Sequence, residues 1–99
     1  MYNIAMKVSS LKKGMMIQPA KKNAYFAISS YEGAWLRVAY PHRRSHFPSS
    51  RKYRYAIYLG TRADVGETNM KWCDRFVLCG DVVAGVDPYA WRNIEVMNG

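Results

Sequence analysis

The sequence predicts a mainly β protein, a small closed antiparallel barrel of roughly five to seven short strands with one helical turn before the last strand. Short β-branched and aromatic runs alternate with Gly, Pro, Asn and Ser, and helical periodicity is scarce. The 99 residues have room for one domain with one modest core. Closure into a barrel would remove the exposed edges that so small a sheet otherwise presents.

The first half of the chain contains three predicted strands. They span residues 14–18, 24–29 and 34–40. Glu32-Gly33 is a hairpin signal between the second and the third, and Pro41 stops the third. In that third strand Trp35, Arg37 and Ala39 share one face. Leu36, Val38 and Tyr40 share the other.

The second half resumes with a strand over residues 53–59, after a loop at 41–52 that is too rich in Pro, Ser and basic residues to pack. A polar connection at 60–69 and a hairpin follow. The hairpin strands are residues 75–79 and 82–86, joined by Gly80-Asp81. Asp87 as N-cap and Pro88 at the first position predict a helical turn over 87–91, before a last strand at 93–97.

All 99 residues are assigned to this single domain, with residues 1–10 as an extra strand or arm. We expect a cytoplasmic protein, because residues 1–13 lack the apolar run of a signal peptide and no segment is apolar enough to span a membrane. Cys73 and Cys79 are expected to be free thiols on one face of one strand. Six extended residues span about 20 Å, whereas a disulfide needs Cα atoms within about 7 Å.

Charge is the strongest functional signal. The formal net charge is +8, yet residues 1–62 sum to +11 and residues 63–99 to −3. Glu32 is the one acidic residue of the first segment. This asymmetry predicts an electrostatically two-faced domain with a polyanionic partner.

Cations and aromatic rings interleave between residues 37 and 62. Arginine predominates there, and its planar fork suits phosphate oxygens and stacks on bases. The predicted nucleic-acid-binding residues in this stretch are Arg37, Tyr40, Arg43, Arg44, Phe47, Arg51, Lys52, Tyr53, Arg54 and Arg62. Neighbouring turns add Lys12, Lys13, Lys21 and Lys22. In the alternative interpretation, Tyr53, Tyr55 and Tyr58 build the barrel wall and the loop is merely solvated.

No enzyme signature is present in the sequence. It has no Gly-rich phosphate loop, no Gly-x-Ser-x-Gly and no His-Glu-x-x-His, so we predict neither catalysis nor a cofactor. His42 and His46, taken with the two cysteines, lack zinc-finger spacing, and two arginines lie between the histidines. A nuclease using one of these histidines as general acid is a minor alternative.

The three tryptophans are assigned separately. Trp91 is expected to plug one end of the barrel and Trp35 to be half exposed. Trp72 with Met70 would form a small apolar patch, which favours a protein partner.

The layout of elements resembles the SH3-like barrels of the Tudor and KOW type. The resemblance rests on Leu11-Lys12-Lys13-Gly14-Met15-Met16-Ile17, which leads into the first strand, and on Pro88-Tyr89-Ala90-Trp91 before the last. It covers most of residues 10–98 and implies a binding module rather than an enzyme.

The leading hypothesis is a non-enzymatic nucleic-acid-binding protein, by analogy with the compact basic proteins among phage and host regulatory factors. It would grip the phosphate backbone through its basic, aromatic-laced loop, with little base specificity. The alternative is an inhibitor or adaptor that docks its basic face on an acidic protein surface. DNA and RNA remain open as ligands, and so does the oligomeric state.

Overall fold

The computed structural model describes residues 8–30, 33–41 and 51–97, whose strands form one eight-stranded sheet. The strands are β1 Met16–Pro19, β2 Tyr25–Ser30, β3 Ala34–Ala39, β4 Lys52–Tyr53, β5 Ala56–Thr61, β6 Arg75–Cys79, β7 Val82–Val86 and β8 Ile94–Val96. The helical elements are the 3₁₀ turn Val8–Ser10, the helix α1 Arg62–Val65 and the 3₁₀ turn Pro88–Asn93.

The sheet is mixed, open and strongly curled, like half of a barrel. Its strand order is β4-β2-β3-β7-β6-β5-β1-β8. Neighbouring strands are antiparallel except β3 and β7, which run parallel with Trp35 opposite Gly85. The mainly β prediction is confirmed. The described strands do not form the all-antiparallel closed barrel that was expected, since β4 and β8 lie at opposite ends of the strand order.

The predicted strand at 53–59 is two strands separated by Arg54 and Tyr55. β4 pairs with β2, with Tyr53 opposite Phe26, whereas β5 pairs with β1 and β6. Both Tyr53 and Ala56 pack into the same core. In a regular strand, residues three apart point to opposite faces, so the strand has to break between them.

The last hairpin and the turn after it were predicted correctly from local sequence patterns. The strands β6 and β7 have their predicted bounds. Asp87 caps the 3₁₀ turn by accepting a hydrogen bond from the Tyr89 N–H at 2.9 Å, and Pro88 occupies its start, as predicted. Helix α1 was not expected inside the polar connection, because four residues are too few to show a helical period.

The main core fills the concave face of the sheet. Its largest fully buried side chains include Phe26, Ile17, Leu36, Val77 and Val86. Trp91 packs partly buried against this core, with its ring edge-on to Tyr58 at 6.3 Å, in line with the expected packing role.

A second, smaller cluster lies on the convex face, beneath the segment 66–74. Met70, Cys73 and Phe76 are buried there, whereas Cys79 belongs to the main core. The expectation that both cysteines share one strand face is therefore wrong, because Cys73 precedes β6 and folds over its outer side. Gly85 permits this approach, since a Cβ at that position would lie 2.8 Å from the Cys73 Sγ.

Both thiols are free, as expected. Burial raises the pKa of Cys73 to about 12, and it does the same for the pKa of Cys79. A thiol that stays protonated is a poor nucleophile. The two cysteines are thus packing residues.

Arg62 fastens the segment 66–74 to the sheet. Its guanidinium donates to the main-chain carbonyls of Met70 and Cys73, both at 2.5 Å, and also to those of Glu67 and Asn69. It also lies 5.7 Å from the centre of the Phe76 ring. Met70 has a φ of 54°, a left-handed conformation that is unfavourable outside glycine and is held here by these contacts.

Replacing Arg62 by alanine is expected to lower the free energy of unfolding by about 2–3 kcal/mol, because buried carbonyls lose a charged donor. Urea denaturation followed by circular dichroism measures this loss. Lys71→Ala, an exposed change in the same segment, is the control and should cost little. Equal stability of both variants would contradict the anchoring role of Arg62.

Candidate nucleic-acid interface

Three contacts that involve cations lie around the β1–β2 turn and the edge strand β4. Arg54 Nη2 donates to the Lys22 carbonyl at 3.1 Å. The Lys21 Nζ lies 5.6 Å from the centre of the Tyr40 ring. The Lys52 Nζ lies 5.0 Å from the centre of the Tyr25 ring. We call this surface the basic face, consisting of Lys21, Lys22, Tyr25, Tyr40, Lys52 and Arg54.

Strand register explains how one side of this surface is built. Ala27 of β2 pairs with Lys52 of β4 on one side and with Arg37 of β3 on the other. Cross-strand partners share a face of the sheet, so Lys52 and Arg37 flank Ala27 on the convex face. Arg37 lies 5.8 Å from the Trp35 ring and extends the positive charge along β3.

A groove of about 470 Å³ lies beside the basic face. Lys21, Lys22 and Arg54 contribute to its lining. Glu95 is the acidic residue of this lining, and it accepts a hydrogen bond from Gln18 Nε2 at 2.8 Å. The groove therefore has a cationic part and an acidic residue that is already hydrogen-bonded.

Within the part of the chain that the structure describes, no ion pair joins a carboxylate to a cation of the basic face. The ion pairs found there join Lys13 Nζ to Asp64 at 2.6 Å and Arg51 to Asp81 at 3.9 Å. The second pair is long and both of its side chains are exposed, so it contributes little. Neither pair involves a residue of the basic face.

Several residues of the predicted site lie elsewhere. Lys13 is held by Asp64 beside helix α1, next to Lys12 in sequence, and the Arg62 guanidinium is engaged by the segment 66–74. Tyr53 packs partly buried against the main core, and its ring lies so near Gly80 that a Cβ there would be 2.9 Å away. Arg51 lies near the β6–β7 turn, where a hydrogen bond with Tyr53 raises its pKa.

Part of the predicted site lies outside the described residues. This applies to Arg43, Arg44 and Phe47, and to the two histidines of the zinc and nuclease alternatives, His42 and His46. Their proposed roles stay predictions. Of the tyrosines assigned to the wall in the alternative interpretation, Tyr58 is buried and Tyr55 is exposed.

The sequence reasoning missed Tyr25. Its ring lies under Lys52, which comes from a strand 27 positions later in the chain. The alternation of side chains along β2 places Tyr25 on the same face as Ala27, and this could have been predicted from the sequence. The partner strand that supplies the lysine is set by long-range pairing, which the local pattern does not encode.

Comparison with models of known families, with curated proteins and with solved structures finds no match for this chain. Within residues 8–30, 33–41 and 51–97, no three His, Cys, Asp or Glu side chains gather to hold a metal ion. In the same ranges, no helix has the length and apolar character needed to cross a membrane.

The contact between Lys13 and Asp64 predicts a specific pH dependence of stability. The hydrogen bond from Lys13, followed by those from the Thr61 N–H and hydroxyl, lowers the pKa of Asp64 from 3.8 to about 2. A carboxyl group whose pKa is lower in the folded protein stabilises the fold at pH values above its unfolded-state pKa. This stabilisation is lost as the pH falls through the folded-state pKa.

We therefore expect Asp64→Asn to be less stable than the parent above pH 4, with the difference shrinking between about pH 4 and pH 2. Urea titrations at a series of pH values measure this difference. Asp81→Asn, which removes the long exposed ion pair with Arg51, is the matched control. Its free energy of unfolding should follow that of the parent at every pH. A pH-independent difference for Asp64→Asn would contradict the assigned contact.

Proposed function

We propose that this protein is a non-enzymatic nucleic-acid-binding module that grips the phosphate backbone through its basic face. The observation that carries the proposal is the set of cations at the β1–β2 turn and along the β4 edge, Lys21, Lys22, Lys52 and Arg54, none of which is paired to a carboxylate among the described residues. Like charges gathered without a counter-charge repel one another, and a polyanion relieves that repulsion.

The chemistry of these side chains suits a phosphate backbone. Lysine and arginine neutralise phosphates and release condensed counterions, which gives affinity without base recognition. The tyrosine rings beneath Lys21 and Lys52 support the ammonium groups through cation–π contacts at 5.6 and 5.0 Å. This arrangement favours binding to backbone over reading of sequence.

The proposed interface also includes the basic loop at 41–52. Tyr40 directly precedes this loop and Lys52 ends it, and both belong to the basic face. Because the residues that flank the loop belong to the basic face, we include Arg43, Arg44 and Phe47 in the proposed interface. The resemblance in layout to SH3-like barrels of the Tudor and KOW type supports a binding module in the same way, as an analogy of fold.

Charge reversal on the basic face should weaken binding strongly. In Lys22→Glu/Lys52→Glu we expect a more than tenfold loss of affinity at low salt and a shallower dependence of log K on log salt, since each lost phosphate contact removes roughly 0.7–0.9 from the slope. Fluorescence anisotropy with labelled single- and double-stranded DNA and RNA, repeated over a salt series, measures both quantities.

The matched control is Lys12→Glu/Lys71→Glu, which makes the same change in net charge away from the basic face and should weaken binding far less. Equal losses in the two variants would mean that overall charge, rather than this surface, drives binding. Failure of the parent to bind any of the four polynucleotides, together with capture of an acidic protein that survives nuclease treatment, would favour the inhibitor or adaptor instead.

A further inference from the structure

An aromatic groove lies on the outer side of the sheet, near the end of β3 away from Tyr40. Its volume is about 430 Å³, and it is lined by Trp35, Trp72, Asp87, Pro88 and Tyr89. The two tryptophans meet edge to face, with ring centres 5.3 Å apart and planes at 87°. Three aromatic rings around one concave surface form a platform for a flat ligand.

The two outermost rings are exposed but anchored. Trp72 is 38% exposed and Tyr89 is 75% exposed, which is unusual for side chains of this size. Trp72 belongs to the segment that Arg62 fastens through its main-chain carbonyls. Tyr89 begins the turn that Asp87 caps. The main chain therefore presents both rings to solvent from anchored positions.

Two of the groove's rings each have a guanidinium group nearby. The Arg37 guanidinium lies 5.8 Å from the Trp35 ring, and that of Arg92 lies 5.9 Å from the Tyr89 ring. Arg37 also flanks Ala27 opposite Lys52, so the groove continues the line of positive charge that starts at the basic face. Aromatic rings with guanidinium groups beside them suit a nucleotide, because the rings can stack on its base and the cations can contact its phosphates.

We propose that this groove stacks an unpaired nucleobase on Trp72 and Tyr89, which makes the protein a single-strand binder. This inference rests on the proposed function and names its substrate class. The phosphates on either side of the stacked base run toward Arg37 and Arg92, and the strand continues onto the basic face. Bases inside a duplex are already stacked and cannot enter the groove without being unpaired.

Asp87 gives the groove a preference among bases. Its Oδ1 accepts the Tyr89 N–H, and a carboxylate has acceptor capacity beyond one such bond. It repels a phosphate but accepts a hydrogen bond from the exocyclic amino group of cytosine. Thymine and uracil carry a carbonyl at that position, so cytosine-containing strands bind more tightly than thymine-containing ones.

The test compares labelled oligo(dC), oligo(dT) and a duplex of equal length against the parent and the variants Tyr89→Ala and Trp72→Ala. We expect each variant to lose roughly tenfold or more in affinity for oligo(dC), with duplex binding unchanged. Tyr89→Phe keeps the ring and should recover most of the affinity that Tyr89→Ala loses. Val83→Ala removes an exposed apolar side chain of β7 outside the groove lining and is the control.

Asp87→Asn keeps a good N-cap residue, so the turn should persist while the preference for oligo(dC) over oligo(dT) narrows. Oligo(dC) should also quench tryptophan fluorescence in the parent, and Trp72→Phe should reduce that quenching while keeping a ring. The quenching readout keeps the test valid even if Trp72→Ala is poorly folded.

The possible failures are distinguishable. Unchanged affinity of Tyr89→Ala for oligo(dC), together with unchanged quenching in Trp72→Phe, would overturn the base-stacking site. The basic face would then stand if Lys22→Glu/Lys52→Glu still weakens binding to single strands and duplex alike. A parent protein that binds neither oligonucleotides nor duplex at low salt would overturn both proposals.

Discussion

The main core forces the chain to break between β4 and β5. Tyr53 and Ala56 both contribute to the main core although they are three residues apart, and a regular strand cannot provide that geometry. The chain therefore leaves the edge of β2 and joins β1 and β6 within two residues. Those two residues, Arg54 and Tyr55, are exposed, and Arg54 bonds the turn that carries Lys22. Packing of the core thus decides where a cation of the basic face lies.

The convex face of the sheet has an apolar part and a cationic part. Over β6 and β7 the segment 66–74 forms a second apolar layer, which Gly85 admits and Arg62 fastens. Over β2, β3 and β4 the same face carries Lys52 and Arg37. Trp35 lies at the boundary, since it packs against the apolar layer and also lies beside Arg37. The aromatic groove and the cations consequently adjoin each other on one continuous side of the sheet.

The parts that sequence could predict are those governed by neighbours in the chain. Local patterns predict the hairpin of β6 and β7 and the cap at Asp87. They also predict that Trp35 and Arg37 lie on the same face of β3. The parallel pairing of β3 with β7 could not be read in this way, because nothing near Trp35 identifies Gly85 as its partner. Arg62 was assigned to the interface for a related reason. Its partners are main-chain carbonyls, which leave no signature in side-chain composition.

The two halves of the chain interleave in the sheet, since β5 and β1 lie between β6 and β8, and most of the acidic residues in the second half are engaged locally. Asp87 accepts the N–H of Tyr89 two residues later, and Glu67 accepts that of Asn69 in the same way. Asp64 bonds Thr61 and Lys13, and Glu95 bonds its cross-strand partner Gln18. A carboxylate that caps a turn or bridges adjacent strands is held where the backbone requires it and cannot follow the cations to another surface. Glu95 nevertheless lines the groove beside Lys21, Lys22 and Arg54, so it is the acidic residue among these that lies next to the basic face.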